Sequence, residues 1–125
     1  MKLVDASSWI EFLRGRTSEP SLRVKSLLSR GHAAWCDLTL VELWNGARGP
    51  AEKKVLEALE GEVRLYSITE QAWAHACELA RRCRRKGLTV PSTDIVIAAC
   101  ATAHKLELEH CDQHFDDLLP LAKAL

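Results

Sequence analysis

Four acidic side chains occupy positions where the surrounding pattern gives them something to do. Asp5 directly follows a short apolar strand, Leu3-Val4. In an open parallel sheet, ligand and catalytic groups collect at the carboxyl ends of strands. The same Asp also reads as the cap of the helix that follows, the commoner role for a lone Asp in that place. Asp94 falls beside Ile97, Ala98 and Ala101 on a helix that is apolar nearly all the way round, the pattern of a buried helix. A carboxylate held there needs a partner, a metal or a proton, unless it only complements the helix dipole from the first turn. Glu42 lies opposite a stripe of Leu40, Leu43, Trp44 and Ala47; taken singly it reads as solvated, since Glu is mostly exposed. Asp112 follows the last strand, within His110-Cys111-Asp112-Gln113-His114-Phe115.

Two kinds of chemistry compete at that last segment. One is a zinc site built from His110, Cys111, Asp112 and His114, but the spacing matches no closed structural-zinc pattern and no second ligand cluster accompanies it. The other joins Asp112 to Asp5 and Asp94 at one edge of a sheet. Carboxylates gathered within a few ångströms repel and raise each other's pKa. A divalent cation such as Mg²⁺ or Mn²⁺ relieves that repulsion and prefers oxygen ligands. A cation so held activates water and stabilises charge in phosphodiester hydrolysis. An acidic cluster at the carboxyl ends of a parallel sheet therefore reads as a metal-dependent phosphoryl-transfer site.

The elements that must position these acids follow from hydrophobic periodicity. Short apolar runs alternate with helical stretches, which favours an α/β domain with a mainly parallel sheet. Leu3 and Val4 open the first strand. A helix containing Trp9, Ile10 and Leu13 stops near Gly15, and Pro20 opens another that places Val24, Leu27 and Leu28 on one face and ends at Gly31. Ala33 to Cys36 is a second strand, followed by the Leu40/Leu43/Trp44/Ala47 helix, which closes around Gly46 to Pro50. Val55, Leu56 and Leu59 mark a helix, and Val63 and Leu65 alternate with Arg64 in a third strand. Thr69 caps a long helix through Lys86 that buries Ala72, Ala76, Ala80 and Cys83, with Gly87 just past its end. Pro91-Ser92 opens a helix from about Thr93 to His104, and Leu106 to Cys111 is the last strand. With no repeat, low-complexity tract or linker, residues 1–125 read as one domain.

Composition narrows the function classes. The 125 residues carry 17 Lys+Arg against 17 Asp+Glu, for a formal net charge of zero. That argues against a bulk electrostatic coat for nucleic acid or anionic membrane. The longest apolar run, Ile95 to Ala101, is far short of the ~20 residues a membrane span needs. Asp5 interrupts the amino terminus before any signal core, so the expectation is a cytoplasmic protein. Cys36, Cys77, Cys83, Cys100 and Cys111 are odd in number, with no C-x-x-C pair, and read as reduced, mostly structural thiols.

At the acidic positions the chain resembles a PIN domain, and within that family the VapC-type toxins of type II toxin–antitoxin systems. The resemblance spans essentially the whole chain. It rests on Leu3-Val4-Asp5-Ala6-Ser7-Ser8-Trp9-Ile10, on Glu42-Leu43-Trp44-Asn45-Gly46, on Gly87-Leu88-Thr89-Val90-Pro91-Ser92-Thr93-Asp94-Ile95-Val96-Ile97-Ala98-Ala99, and on Asp112-Gln113-His114-Phe115. Each piece alone is weakly specific; all four in order are not. The resemblance implies a three-layer α/β/α sandwich and a metal-dependent endoribonuclease, with Asp5, Glu42, Asp94 and Asp112 as its acidic quartet. Asp5 and Asp94 would bind Mg²⁺ or Mn²⁺ directly, and Glu42 and Asp112 through water or a second ion. Ser7 and Ser8 would position an acid or the scissile phosphate. It further implies an RNA substrate, a cognate VapB-type antitoxin and a homodimer, with Trp9 and Trp44 at such contacts. His110 departs from the family pattern, in which many relatives carry a small hydroxyl residue two positions before the last Asp.

Arg81, Arg82, Arg84, Arg85 and Lys86 crowd the end of the long helix. Cations in a last turn complement the dipole, but Arg81, Arg84 and Arg85 share one face, which suits a phosphate-tracking patch beside the acids. Trp44 and Trp73 fall at or beside apolar helix faces, placing them in the core or at an interface rather than under a stacked base. Three rival readings stand beside the ribonuclease. A phosphoacceptor receiver domain would want adjacent acids after the first strand, where Asp5 stands alone. A non-catalytic RNA- or partner-binding module would use only the basic patch. A DNA-directed nuclease would share the same metal ligands.

Overall fold

A computed structural model describes residues 1–125. In chain order the elements are β1 (Lys2–Val4), α1 (Ala6–Leu13), α2 (Glu19–Ser29), β2 (Ala33–Cys36), α3 (Asp37–Gly46), α4 (Gly49–Glu60), β3 (Arg64–Tyr66), α5 (Glu70–Arg85), α6 (Ser92–Ala103), β4 (Glu107–Glu109) and α7 (His114–Ala122). The strands pair in the order β3-β2-β1-β4, every pair parallel, with Leu3 opposite both Ala34 and Leu108.

Period-two alternation divides the sheet between two cores. Val4, Ala33 and Trp35 face one way and pack with Trp9, Val24, Leu27, Leu43, Leu56 and Leu59 from α1–α4. Leu3, Ala34 and Cys36 face the other and pack with Leu79, Ile97, Phe115 and Leu118 from α5–α7. The result is the expected three-layer α/β/α sandwich around a parallel sheet. Chain direction explains the division. From β1 the chain steps outward through β2 to β3 with its helices on one face, then returns past β1 to β4 with its helices on the other, as the right-handed crossover rule requires. β1 is thus where the winding reverses, and the crevice at the carboxyl ends of β1 and β4 is the natural ligand position of such a sheet.

Local signals set several helix ends. Ser18 and Thr69 cap α2 and α5 through their hydroxyls, accepting from the N–H groups of Ser21 and Ala72. Gly31 and Gly87 take positive φ just past α2 and α5, a conformation only Gly adopts without a Cβ penalty. Three expectations need correction. Leu65 is exposed, because β3 is a three-residue edge strand and only Val63, just before it, is buried. In α5, Leu79 rather than Ala80 completes the fully buried face. Periodicity does not foreshadow the last helix, α7: Pro120 sits inside it, and Asp116 and Asp117 in its first turn mask its apolar stripe. Phe115, Leu118 and Ala122, all fully buried, hold it against the core.

Candidate metal centre

The site begins at the β1/β4 seam. Asp5, one residue past β1, is buried, and its main-chain N–H donates to the Glu109 carbonyl at 2.8 Å. Its carboxylate caps α1 by accepting from the Ser7 N–H at 2.9 Å and the Ser7 hydroxyl at 2.6 Å. The two readings of Asp5, helix cap and member of an acid cluster, are therefore compatible. The Ser7 hydroxyl in turn accepts from the Cys111 N–H at 3.2 Å, which ties Asp5 to the loop that carries Asp112.

Asp94 lies in the first turn of α6 and is 7% exposed. Burial holds its carboxyl above the usual range, and the charges of Asp5 and Asp112 add to that, partly opposed by His114. Glu42, on α3, is half-buried with a solvent-inaccessible Oε1 that has no hydrogen-bond partner. Burial raises its pKa to about 7, helped by the charges of Asp5, Asp94 and Cys36. The expectation of a solvated Glu42 fails here, because the wheel of one helix cannot show what the sheet edge places opposite it. Asp112 completes the group from the β4–α7 loop, where its Oδ1 accepts from the His114 N–H at 3.0 Å.

The structure thus gathers the four acids around one sheet edge, and it adds His114. The ring Nδ1 of His114 lies 3.3 Å from Asp94 Oδ2 and 3.1 Å from Asp112 Oδ1. One ligand atom from each of the three residues falls within 4.8 Å of the others. The earlier competition between a zinc cluster and an acid cluster resolves as a partial merger: Asp112 and His114 face Asp94, whereas the His110 ring packs on Phe115 and Cys111 is exposed. The spacing signal for His114 was its place two residues after Asp112, at the start of a helix that sequence periodicity did not reveal.

Such crowding of acids is costly unless compensated. Neither Lys nor Arg pairs with any of the four; the His114 ring is the one basic side chain in contact with them. Partial compensation comes from backbone dipoles, since α1, α6 and α7 all begin at this edge, with Asp5, Asp94 and Asp112 at or beside their first turns. The remaining deficit suits a cation. Asp94 Oδ2 and Glu42 Oε1, buried and without hydrogen-bond partners, are oxygen donors of the kind Mg²⁺ and Mn²⁺ take.

Other expected residues divide. Ser8 is fully buried with an unpartnered hydroxyl, so it offers no surface to a phosphate, and that expectation does not hold. Arg81, Arg82 and Arg85 converge on Glu78 at 3.0, 3.2 and 3.3 Å and hold its carboxyl below the usual range. Arg84 is exposed and unpaired, beside a surface depression shared with Leu88, Val90 and Ile95. The basic patch therefore has one free guanidinium rather than three. Trp9 is fully buried against Trp35, with ring centroids 5.0 Å apart, and cannot serve a surface contact. Trp73 is half-exposed, outside the core. No helix is long and apolar enough to cross a membrane.

Sequence and structure comparisons bear on the family and the fold. The PIN domain family model matches residues 2–118. Ribonuclease VapC11 of Mycobacterium tuberculosis and VapC ribonuclease Mb1587 of Mycobacterium bovis are each 32% identical over 120 residues, covering 93% of this chain and 90% of theirs. Ribonuclease VapC21 of M. tuberculosis is 28% identical over 104 residues, covering 81% of this chain and 75% of its own. Among solved structures, FitAB bound to the IR36 DNA fragment superimposes with a TM-score of 0.74 at 19% identity, covering 98% of this chain and 91% of that one. VapBC-5 from M. tuberculosis does so with a TM-score of 0.68 at 20% identity, covering 94% and 89%. With its family match running almost from end to end, its parallel sheet in place and its acids gathered at the β1/β4 crevice, this chain belongs to the PIN domain family.

Proposed function

We propose that the chain is a metal-dependent endoribonuclease, the toxin of a toxin–antitoxin module, and that Asp5, Glu42, Asp94 and Asp112 form its active site. The observation that carries the reading is the convergence of four acids from four separate elements on one crevice with no Lys or Arg to neutralise them. Kinship to proteins named VapC ribonucleases supports the choice of RNA.

Asp5 and Asp94 would hold Mg²⁺, with Mn²⁺ able to substitute, and Glu42 and Asp112 would hold its waters or a second ion. When bound, the cation supplies Lewis-acid stabilisation of charge at phosphorus and a lowered pKa for water. The protein's own contributions are positional and protonic. Ser7 fixes one oxygen of Asp5 and ties it to the Cys111 backbone. Glu42, whose carboxyl is raised to about 7 in the metal-free crevice by burial and its acidic neighbours, is placed to accept a proton from a water approaching the crevice. Arg84, with Arg81 and Arg85 to a lesser degree because Glu78 engages them, would track RNA phosphates along the end of α5. Ser7 touches substrate only through the acid it orients. The partners implied are an RNA substrate, a VapB-type antitoxin and a second copy in a homodimer. The setting is the cytoplasm.

The test is cleavage of RNA and of matched single-stranded DNA by purified protein with Mg²⁺, Mn²⁺ or EDTA, alongside Asp5→Asn. Metal-dependent RNA cleavage lost in Asp5→Asn is the expected result. Cleavage that persists in EDTA, or full activity in Asp5→Asn, overturns the mechanism. Preference for DNA moves the same site to a DNA-directed nuclease, and binding without cleavage of either moves the chain to a binding module.

A further inference from the structure

His114 departs from an all-carboxylate site. It is the first residue of α7, and its backbone N–H is held by Asp112 Oδ1 at 3.0 Å, which turns the ring back toward Asp94. Its Nδ1 stands within 3.3 Å of Asp94 Oδ2 and 3.1 Å of Asp112 Oδ1. Despite that approach, neither Nδ1 nor Asp94 Oδ2 makes a directed hydrogen bond, and both atoms are inaccessible to solvent. An imidazole that served only as a hydrogen-bonded counter-ion would aim its N–H along one of those short contacts. What the geometry shows instead is a nitrogen and two carboxylate oxygens grouped within 4.8 Å, with Asp94 itself more than nine-tenths buried.

We propose that His114 Nδ1 is a nitrogen ligand of the metal centre beside Asp94 and Asp112, and that it tilts the site from Mg²⁺ toward a first-row transition dication such as Mn²⁺. The proposal rests on the metal-dependent reading above and names the property that one residue adds to it. Mg²⁺ is a hard ion that demands oxygen and gives up water reluctantly. Imidazole suits transition ions, whose affinities for mixed nitrogen and oxygen sites begin their rise at Mn²⁺. One nitrogen among carboxylates is a poorer ligand for Mg²⁺ than for Mn²⁺.

The experiment is calorimetric titration of Mn²⁺ and of Mg²⁺ into the full chain, as wild type, His114→Asn, His114→Asp and Asp94→Asn. Pulsed electron paramagnetic resonance of the Mn²⁺-loaded protein accompanies it. Wild type should bind Mn²⁺ the more tightly and show nitrogen modulation from a coordinated imidazole. His114→Asn should lose that modulation and at least about tenfold in Mn²⁺ affinity, the lower end of what even an outer-sphere partner is worth, with Mg²⁺ affinity little changed. His114→Asp should bind both ions with the gap between them narrowed. Should Asn loosen the start of α7, the Asp variant, which suits a helix N-terminus, makes the same comparison in folded protein. An unchanged Mn²⁺/Mg²⁺ ratio in both variants, or no nitrogen signal in wild type that binds both ions, overturns the role of His114 and leaves metal dependence standing. Wild type that binds neither ion overturns both, and Asp94→Asn, expected to lose either ion, checks that the heat measured belongs to this site.

Discussion

Glu109 and Asp94 are buried to the same degree, 6% and 7% exposed, at the same edge of the same sheet, and their surroundings are opposite. Both oxygens of Glu109 accept from Arg23 Nε at 3.0 Å, joining the end of β4 to α2. Asp94 has other acids around it, a His at 3.3 Å and an oxygen with no hydrogen-bond partner. A buried carboxylate with its guanidinium completes a structural joint; breaking such a pair is costly because one charge is left stranded. A buried carboxylate among like charges destabilises the fold on its own terms, and its neighbours only make sense together with a cation. The contrast separates acids that hold the crevice from acids that work in it, and it is open to experiment.

The sharpest break between the two should come from neutralising each. Asp94→Asn should lower RNA cleavage by about a thousandfold, a few kcal/mol of barrier, while the melting temperature in EDTA stays level or rises as like-charge repulsion is relieved. A stable Asp94→Asn with full activity would erase the distinction. Arg23→Ala should do the reverse. Loss of about 2–3 kcal/mol in denaturant unfolding is expected, below the ~3–5 kcal/mol of a fully buried pair because the Arg23 side chain is 45% exposed. The folded fraction should keep its activity per molecule.

A pH scan comes next in size. The Glu42 carboxyl is raised from 4.5 to about 7, so between those values the folded chain binds a proton that the unfolded chain lacks. That contribution to stability is fully present below pH ~4.5 and is lost as pH rises through about 7. Metal-free protein should therefore melt at falling temperature across that window, and Glu42→Gln should flatten the slope. Saturating Mn²⁺ should oppose it, since a ligand of the folded state stabilises by mass action. A slope unchanged in Glu42→Gln would assign the effect elsewhere. The smallest effect is expected at the basic patch, where Arg84→Glu should weaken RNA binding by about two- to fivefold at low salt and reduce the salt slope by about one. Arg81→Glu should do less, because Glu78 already engages that guanidinium.

Much of this was legible residue by residue. Strand and helix order followed from apolar periodicity, and the caps at Thr69 and Asp5 followed from residue type. The burial of Asp94 was written in the apolar neighbours at Ile97, Ala98 and Ala101. Glu42 was not legible from its own helix, since its partners Asp5 and Asp94 lie on other elements. α7 escaped because its burial depends on a core assembled from α5 and α6, which outweighs an internal Pro120. Glu109 is an acid buried at the end of β4, and the Arg23 guanidinium that accommodates it comes from 86 residues away.

The balanced total of 17 acids and 17 bases belonged to the sequence alone, as did the parallel α/β order, the four acids and the likeness to PIN domains, because each depends on residue type and near-neighbour spacing. Which acids share a crevice, which one is paired away by Arg23, and that His114 joins them were decided only by tertiary structure. The physical reason is range. Capping and periodicity act within a turn or two of helix, whereas Coulomb repulsion and burial act through space between residues whose separation in sequence carries no information about their distance.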